Sequence, residues 1–516
     1  MNLANDPWIP IVWSDGKLGS VSLSDAFEHG DEIRDLAVRP HERIALMRLL
    51  ICVAQVALDG PVDSENWKTC RSNIPAATAE YLAGWRKAFE LFGDGQRFLQ
   101  ISGLKKPMMA GEEEEAGNST SKLDLALASG NNSTLFDNAG GAPREFAPAS
   151  LATMLLTFQC FSPGGRIGVA LWEGEQTPGK GSSNHSPCLA GGMLHTLIRG
   201  NTLLDALHRN LLNKAQVKQL YGDGHWGRAV WELMPQHLAD DEAIQNATST
   251  YLGRLIPLSR AIYFTDDCRS SILANGLDYP SYEDGWREPL ATIIIRKVKD
   301  QPKRVVLPAS LDKGIWRELH ALTVKAIGQN PGGPVALQNL PEEEMAFDLW
   351  VGGLISNKAK LLDTTESVFH VPRAMLADTS QRIYEAGVKH AQEIEFRLKR
   401  AVSAYHKELG DNLDRPELKN RRLQLQRNAA TQFWTDIEQA VPRLLEIAAA
   451  PGILGLKEDW HKTEWGRTVW RAAGEAYQRA CPHETARQIR AYALGLQKLF
   501  ATRSEKAPAE TEQEEA

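Results

Sequence analysis

The chain has 516 residues, 43% of them hydrophobic, with 14 Trp, 14 Phe and 10 Tyr. That is ample for large packed cores and excludes a wholly disordered polymer. Its 58 Lys and Arg against 65 Asp and Glu give a formal charge of −7, which excludes a generally basic nucleic-acid coat but leaves room for local basic patches. Six cysteines without a C-x-x-C pair argue against a disulfide framework or a four-thiolate zinc site and read as reduced thiols of a cytosolic chain. The N-terminus carries no basic stretch leading into an apolar one, so no secretory signal is expected.

In chain order, β-like runs at Trp8 to Trp13 and Leu18 to Leu23 flank the turn signal Asp15-Gly16. A helix is expected over Pro40 to Leu58. Its apolar run Ala45 to Leu58 contains Arg48 and Gln55 and is too short and polar to cross a bilayer, so it reads as buried. Polar, glycine-rich and acidic interruptions follow at Gly111 to Gly117 and Gly130 to Arg144, with the composition of surface loops. Further β-like segments lie at Arg260 to Phe264 and Thr292 to Val298. Short strands alternating irregularly with helices predict an α+β body over residues 1–377.

From about Asp378 the pattern changes. Tyr384, Val388, Ala391, Ile394, Leu398, Val402, Tyr405 and Leu409 recur at intervals of three and four, the spacing of one apolar helical stripe. Helical segments near Pro416 to Ala449, Glu464 to Ala480 and His483 to Arg503 predict a four-helix bundle over 378–503. The bundle carries 21 Lys and Arg against 16 Asp and Glu. The tail 504–516, rich in glutamate, is expected to be disordered.

Chemical motifs are sparse. GEQTPGKGSS, Gly174 to Ser183, nearly matches the phosphate-cradling pattern G-x-x-x-x-G-K-[ST], but Gly181 stands where the hydroxyl belongs. Turn residues follow Lys180 where a helix should start, so a nucleotide hydrolase is not expected. His483-Glu484 lacks the second histidine of a zinc-protease motif, with Arg487 in its place, and His185 and Cys188 lack a second ligand pair. Without a wider comparison, an unrecognised hydrolase or transferase and a protein-only scaffold both remain open.

Several stretches together resemble the CasA family, the large subunit of the type I-E CRISPR surveillance complex Cascade. They are NLANDPWIPIV at the start, RPHERIALMRLLICVAQVAL from Arg39, IRGNTLLDALHRNLL from Ile198, YLGRLIPLSRAI from Tyr251 and FDLWVGGLISNKAKLL from Phe347. The likeness runs in order over nearly the whole chain, with the helical bundle in the matching place. It implies a non-catalytic, cytoplasmic subunit that reads the protospacer-adjacent motif (PAM) of target double-stranded DNA from the minor groove and starts opening the duplex. Guide RNA then pairs with one strand, and the system's helicase-nuclease lands on the subunit. Protein reads the PAM and base pairing reads sequence.

The resemblance also nominates residues. The glycine loop would be SPGGRIG, placing Gly164, Gly165 and Gly168 against DNA, because residues without Cβ let backbone amides come close. Arg166 among them suits the negative potential of a narrow groove, and Lys180 would touch a phosphate. The family's lysine finger falls on Arg269, which keeps the charge and adds a planar fork. The wedge would be Asn357, Lys358 and Ala359, where Lys358 replaces a familiar glutamine and cannot copy its amide pairing. Phe136 and Asn138, in TLFDNAGG near the guide RNA handle, would stack on a base and hydrogen-bond to nucleic acid. Beside Arg269, where some members of the family carry a cysteine cluster, only Cys268 is present, so no zinc and no cofactor are expected. Partners implied are the other Cascade subunits, guide RNA, duplex DNA and the helicase-nuclease, without a membrane.

Overall fold

The computed structural model describes residues 1–107, 117–127, 144–165, 167–179, 186–265, 268–357, 360–410, 415–450 and 460–500. Backbone contacts divide the chain into two compact units. The first is Met1–Ile315 with Ala321–Val371, and the second is Trp316–His320 with the chain from Pro372 onward. The composition change read at Asp378 therefore lies just beyond the structural boundary, and the short Trp316–His320 segment belongs with the helices.

The first unit is α+β, built from small antiparallel sheets around buried helices. Ile9–Trp13 is the middle strand of a three-stranded sheet, between Leu18–Val21 and Ile33–Leu36. Helix Pro40–Ala57 begins with proline in its first turn, where the missing N–H would have lacked a helical partner anyway. It is buried on nearly all sides, as expected of a helix apolar all round. Two of its internal polar side chains, Gln55 and Arg48, are satisfied across the core. Gln55 donates to the Leu212 carbonyl and accepts the Tyr251 hydroxyl. Arg48 donates to the carbonyls of Leu255 and Arg254 and to Glu288.

Two sheets carry the candidate interface. Arg260–Phe264 and Ser270–Asn275 form a hairpin whose outer neighbour is Asn118–Ser119. Ala346–Asn357 is flanked by Lys360–Pro372 and His195–Ile198, with the last strand opposite only Leu349 to Gly352. A separate two-stranded ribbon pairs Ile293–Val298 with Gln301–Val306.

In the second unit, helix Asp378–Glu408 buries Tyr384, Val388, Ala391, Ile394, Leu398, Val402 and Tyr405, the stripe read from the sequence, and Leu409 caps its C-terminus. Helix Glu464–Ala480 brings in Trp465, fully buried, whose Nε1 donates to the Gly387 carbonyl at 3.0 Å. At Gly495 of helix Ala486–Phe500 a Cβ would lie 1.9 Å from the Tyr477 hydroxyl and 2.8 Å from the Ala401 carbonyl, so glycine permits this three-helix approach. The segment expected as one helix over 416–449 is two, Pro416–Glu438 and Val441–Ala449. Pro442 fits the first turn of the second piece and would break a continuous helix. Among the described residues no helix is long and apolar enough to cross a membrane.

Candidate nucleic-acid interface

The glycine stretch leaves helix Pro148–Phe161 at Ser162 and returns to the same place. The Ser186 amide donates to the Ser162 carbonyl at 2.9 Å, so the segment from 162 to 186 is closed at its base. Three side chains on or beside the Arg260–Asn275 hairpin fasten it. Arg260 donates to the Pro163 carbonyl at 2.9 Å, Asn275 to the Pro178 carbonyl at 3.1 Å, and the Ser259 and Ser186 hydroxyls lie 2.6 Å apart. Arg260 is 2% exposed, and burial lowers its pKa to about 10, so it stays charged at neutral pH. Gln159 locks the support from below, exchanging hydrogen bonds with the Arg260 backbone.

Within the loop Gly164 is buried, Gly165 is half-buried and Gly168 is exposed. Gly165 has φ +156, in the range that side chains disfavour. An added Cβ at Gly168 would meet nothing within 4 Å. The fold itself therefore does not demand glycine at 168. The near phosphate-loop match has a simpler structural origin. Leu171–Trp172 turns straight back into Glu175–Gln176 through Glu173 and Gly174, both at positive φ, a two-residue hairpin turn of the kind favoured by twisted strands.

Arg269 lies in the turn joining Arg260–Phe264 to Ser270–Asn275 and is 66% exposed, its guanidinium 2.5 Å from Glu145. The turn is held by Thr265 and Ser270, and the Arg269 carbonyl accepts the Thr120 amide. Cys268 beside it has φ +61. One hairpin thus supports two expected features at opposite ends. Arg260 and Asn275, which hold the glycine loop, face each other across one end, and Phe264 and Ser271 across the other, about 13 Å of strand away at ~3.3 Å per residue.

Asn357 is the last residue of the strand Ala346–Asn357. Beyond Gly352, where pairing with His195 ends, the strand runs on for about 17 Å to Asn357. At its base lies a cavity of about 230 Å³, where His41 meets Leu125, Leu354 and Leu361. Among the described residues neither ring nitrogen of His41 has a hydrogen-bond partner, and burial lowers its pKa to about 4. Of the residues nominated from sequence, Phe136, Asn138, Arg166, Lys180, Lys358 and Ala359 lie outside the described residues.

Beneath these surfaces is a buried charge cluster. Glu288 accepts from Arg254 at 2.6 Å and Arg48 at 3.1 Å, all three side chains being 4% exposed or less. Burial would raise the Glu288 pKa, but Arg254 and Arg48 outweigh it and hold the carboxyl at about 2. The cluster ties helix Pro40–Ala57 to the carbonyl ends of Tyr251–Leu255.

Sequence reading passed over one charged feature. The ribbon Ile293–Val306 carries Arg296, Lys297, Lys299, Lys303 and Arg304 against the single acid Asp300. Its signal was available as a run of cations straddling a Lys-Asp turn.

A family model described as CRISPR-associated protein Cse1 matches residues 2–476. CRISPR-associated protein CasA/Cse1 of Thermus thermophilus is 26% identical over 529 residues, covering 96% of both chains. Among solved structures, Thermus thermophilus CasA has a similar fold, with a TM-score of 0.74 at 22% identity over 97% of this chain and 98% of that one. A chain from a CRISPR RNA-guided surveillance complex gives a TM-score of 0.67 at 18% identity over 97% and 99%. With its sequence matched almost from end to end, the chain belongs to the CRISPR-associated Cse1 family.

Proposed function

We propose that this chain is the large, non-catalytic subunit of a type I-E CRISPR RNA-guided surveillance complex, Cascade, and that it recognises the PAM of target duplex DNA from the minor groove. In this reading the loop 162–186 brings backbone to the base edges, with Arg166 and Lys180 beside it. Arg269 enters the same groove, and the tip Asn357, Lys358 and Ala359 parts the first base pairs so that guide RNA can pair. Phe136 and Asn138 meet nucleic acid near the guide RNA handle, and the assembled subunit helps recruit the helicase-nuclease. The similarity of fold to a surveillance-complex chain supports the assembly.

The observation that carries the reading is Gly168. It is exposed, in a loop closed and fastened at its base, at a position where the protein itself has room for a side chain. A glycine with such space is explained by something outside the chain that must come close. The test is Gly168→Leu in the complex assembled with guide RNA and its other subunits, followed by binding to a PAM-library duplex. Because the added atoms meet open space, folding and assembly should be unchanged. Binding to PAM-bearing duplex should weaken by about tenfold or more, which corresponds to ~1.4 kcal/mol. Wild-type affinity and PAM preference in the Leu variant would refute the reading.

A further inference from the structure

The ribbon Ile293–Val298/Gln301–Val306 has an unusual distribution of charge. Arg296 stands directly opposite Lys303, and Ile295 opposite Arg304. By strand alternation Arg296 and Lys303 share one face, while Lys297 and Arg304 share the other as diagonal neighbours. Lys299 sits at the turn with Asp300, both at positive φ. All five cations are exposed, and among the described residues Arg296, Lys297, Lys299 and Lys303 enter no ion pair. Like charges directly opposite each other destabilise a strand pair, and an isolated two-stranded hairpin is marginal to begin with. The ribbon has a single acid, Asp300 at the turn, so five cations stand against one carboxylate.

It is nevertheless held firmly at its base. The Leu307 amide donates to the Thr292 carbonyl and its carbonyl accepts the Leu194 amide, while the Ala309 amide donates to Gly192. A Cβ on Gly191 would strike Val306 at 2.5 Å, so the ribbon's root presses on the turn Pro187–Gly192. That turn follows directly on Ser186, where the glycine loop closes. The ribbon and the loop therefore rise from one support.

We propose that this ribbon is a second DNA-binding element, entering the major groove of the target duplex tip first, so that its two cationic faces meet the two phosphate walls. The proposal rests on the duplex-recognition reading above and adds to it an element on the opposite groove. The groove geometry selects the partner. The major groove of B-form DNA, about 12 Å wide, admits a two-stranded ribbon, whereas the major groove of A-form RNA is too deep and narrow for side chains to enter. Cations on both faces suit a site walled by phosphate on both sides. A flat polyanion, or an acidic protein docked on one face, would use only half of them.

The test uses the complex assembled with guide RNA, comparing wild type with R296Q/K303Q, K297Q/R304Q, the fourfold Gln variant and the charge-retaining fourfold R296K/K297R/K303R/R304K. The affinity for PAM-bearing DNA duplex is measured across a salt series. Each lost phosphate contact flattens the log–log slope by ~0.9, so each double variant should flatten it by about 2 and the fourfold variant by about 3 to 4. The charge-retaining variant should keep the wild-type slope, which separates charge from ribbon folding. Competition by an RNA duplex of the same sequence should be the same for all variants. An unchanged slope with PAM preference intact overturns the ribbon alone and leaves the glycine-loop reading standing. A loss confined to one face, or an equal loss of RNA-duplex competition, also overturns it. A wild-type assembly that binds no duplex overturns both.

Discussion

Replacing Glu288 by Gln should destabilise the first unit by about 3 kcal/mol at neutral pH. The carboxylate is 4% exposed and serves two buried guanidiniums, Arg254 at 2.6 Å and Arg48 at 3.1 Å. Glutamine keeps the shape and can still accept a hydrogen bond, but it leaves two positive charges facing carbonyls and, for Arg254, the rings of Trp286 and Tyr279, with no carboxylate. Removing one partner of a buried ion pair costs about 3–5 kcal/mol. The pKa gives an independent figure. Lowering the carboxyl from its ordinary 4.5 to about 2 corresponds to ~3 kcal/mol at 1.36 kcal/mol per pH unit. Because the folded-state value is depressed, that stability is fully present above pH 4.5 and is lost as pH falls towards 2. Urea unfolding of the full chain at pH 7 should show a midpoint lowered by about 1 M for an m-value near 3 kcal/mol/M. The variant should also lack the wild-type loss between pH 4.5 and 2. A variant within 1 kcal/mol of wild type, or one that keeps that acid limb, would refute the reasoning.

The buried histidines give a second pH window. Burial lowers His41 and His195 to about 4, so between pH 6.5 and 4 the unfolded chain binds protons that the folded one excludes, and stability falls with acidification by up to about 3 kcal/mol per group; His195→Gln should flatten a plot of stability against pH in that range. At Arg269 the ion pair with Glu145 is exposed on both sides, so Glu145→Gln should change stability by less than ~0.5 kcal/mol while raising PAM-duplex affinity in the assembled complex. Arg269→Ala should lower that affinity and flatten the salt slope by about 1; equal binding by both variants would exclude a role for this arginine. In the helical unit Trp465→Ala removes a fully buried ring and its bond to Gly387 and should cost about 3–5 kcal/mol, read as an early thermal transition by circular dichroism.

The parts of the fold legible in the sequence were those set by local periodicity. The stripe from Tyr384 to Tyr405 is buried as its spacing requires. What depends on distant partners was not legible. Arg48 marked the run Ala45 to Leu58 as too polar for a membrane, but nothing local indicated that Glu288, 240 positions later, would neutralise it. Cys188 read as a loop residue; it is buried, its carbonyl accepts His195 Nε2 at 2.9 Å, and its thiol lies beside that of Cys160. The break before Val441 was missed because Pro442, which suits a first helical turn, was not read as the start of a new helix. At the candidate interface the glycines were visible as glycines, but their closure into one loop rests on Ser186, Arg260 and Asn275, which a single sequence does not connect.

A formal charge of −7 and a DNA-contacting role are compatible because charge acts over short distances in salt water. At physiological ionic strength the Debye length is about 8 Å, whereas a six-residue strand spans about 20 Å. Lys299 at the ribbon turn therefore stands more than two Debye lengths from the ribbon's root, and carboxylates on the body are largely screened there. A phosphate at the tip meets local cations; a phosphate approaching the rest of residues 1–377 meets more acid than base. Non-specific affinity grows with every phosphate neutralised, and on the proposed reading the ribbon's cations add affinity only for duplexes that the ribbon can enter. The same geometry explains why the roots matter as much as the tips. A loop that had to be ordered on contact would lose roughly 1–2 kcal/mol per residue fixed, whereas the glycine loop is already closed by Ser186 and fastened by Arg260 and Asn275, and the ribbon is fastened at Thr292, Leu194 and Gly192. On the proposed reading, these fastened roots spare part of that ordering cost when DNA arrives.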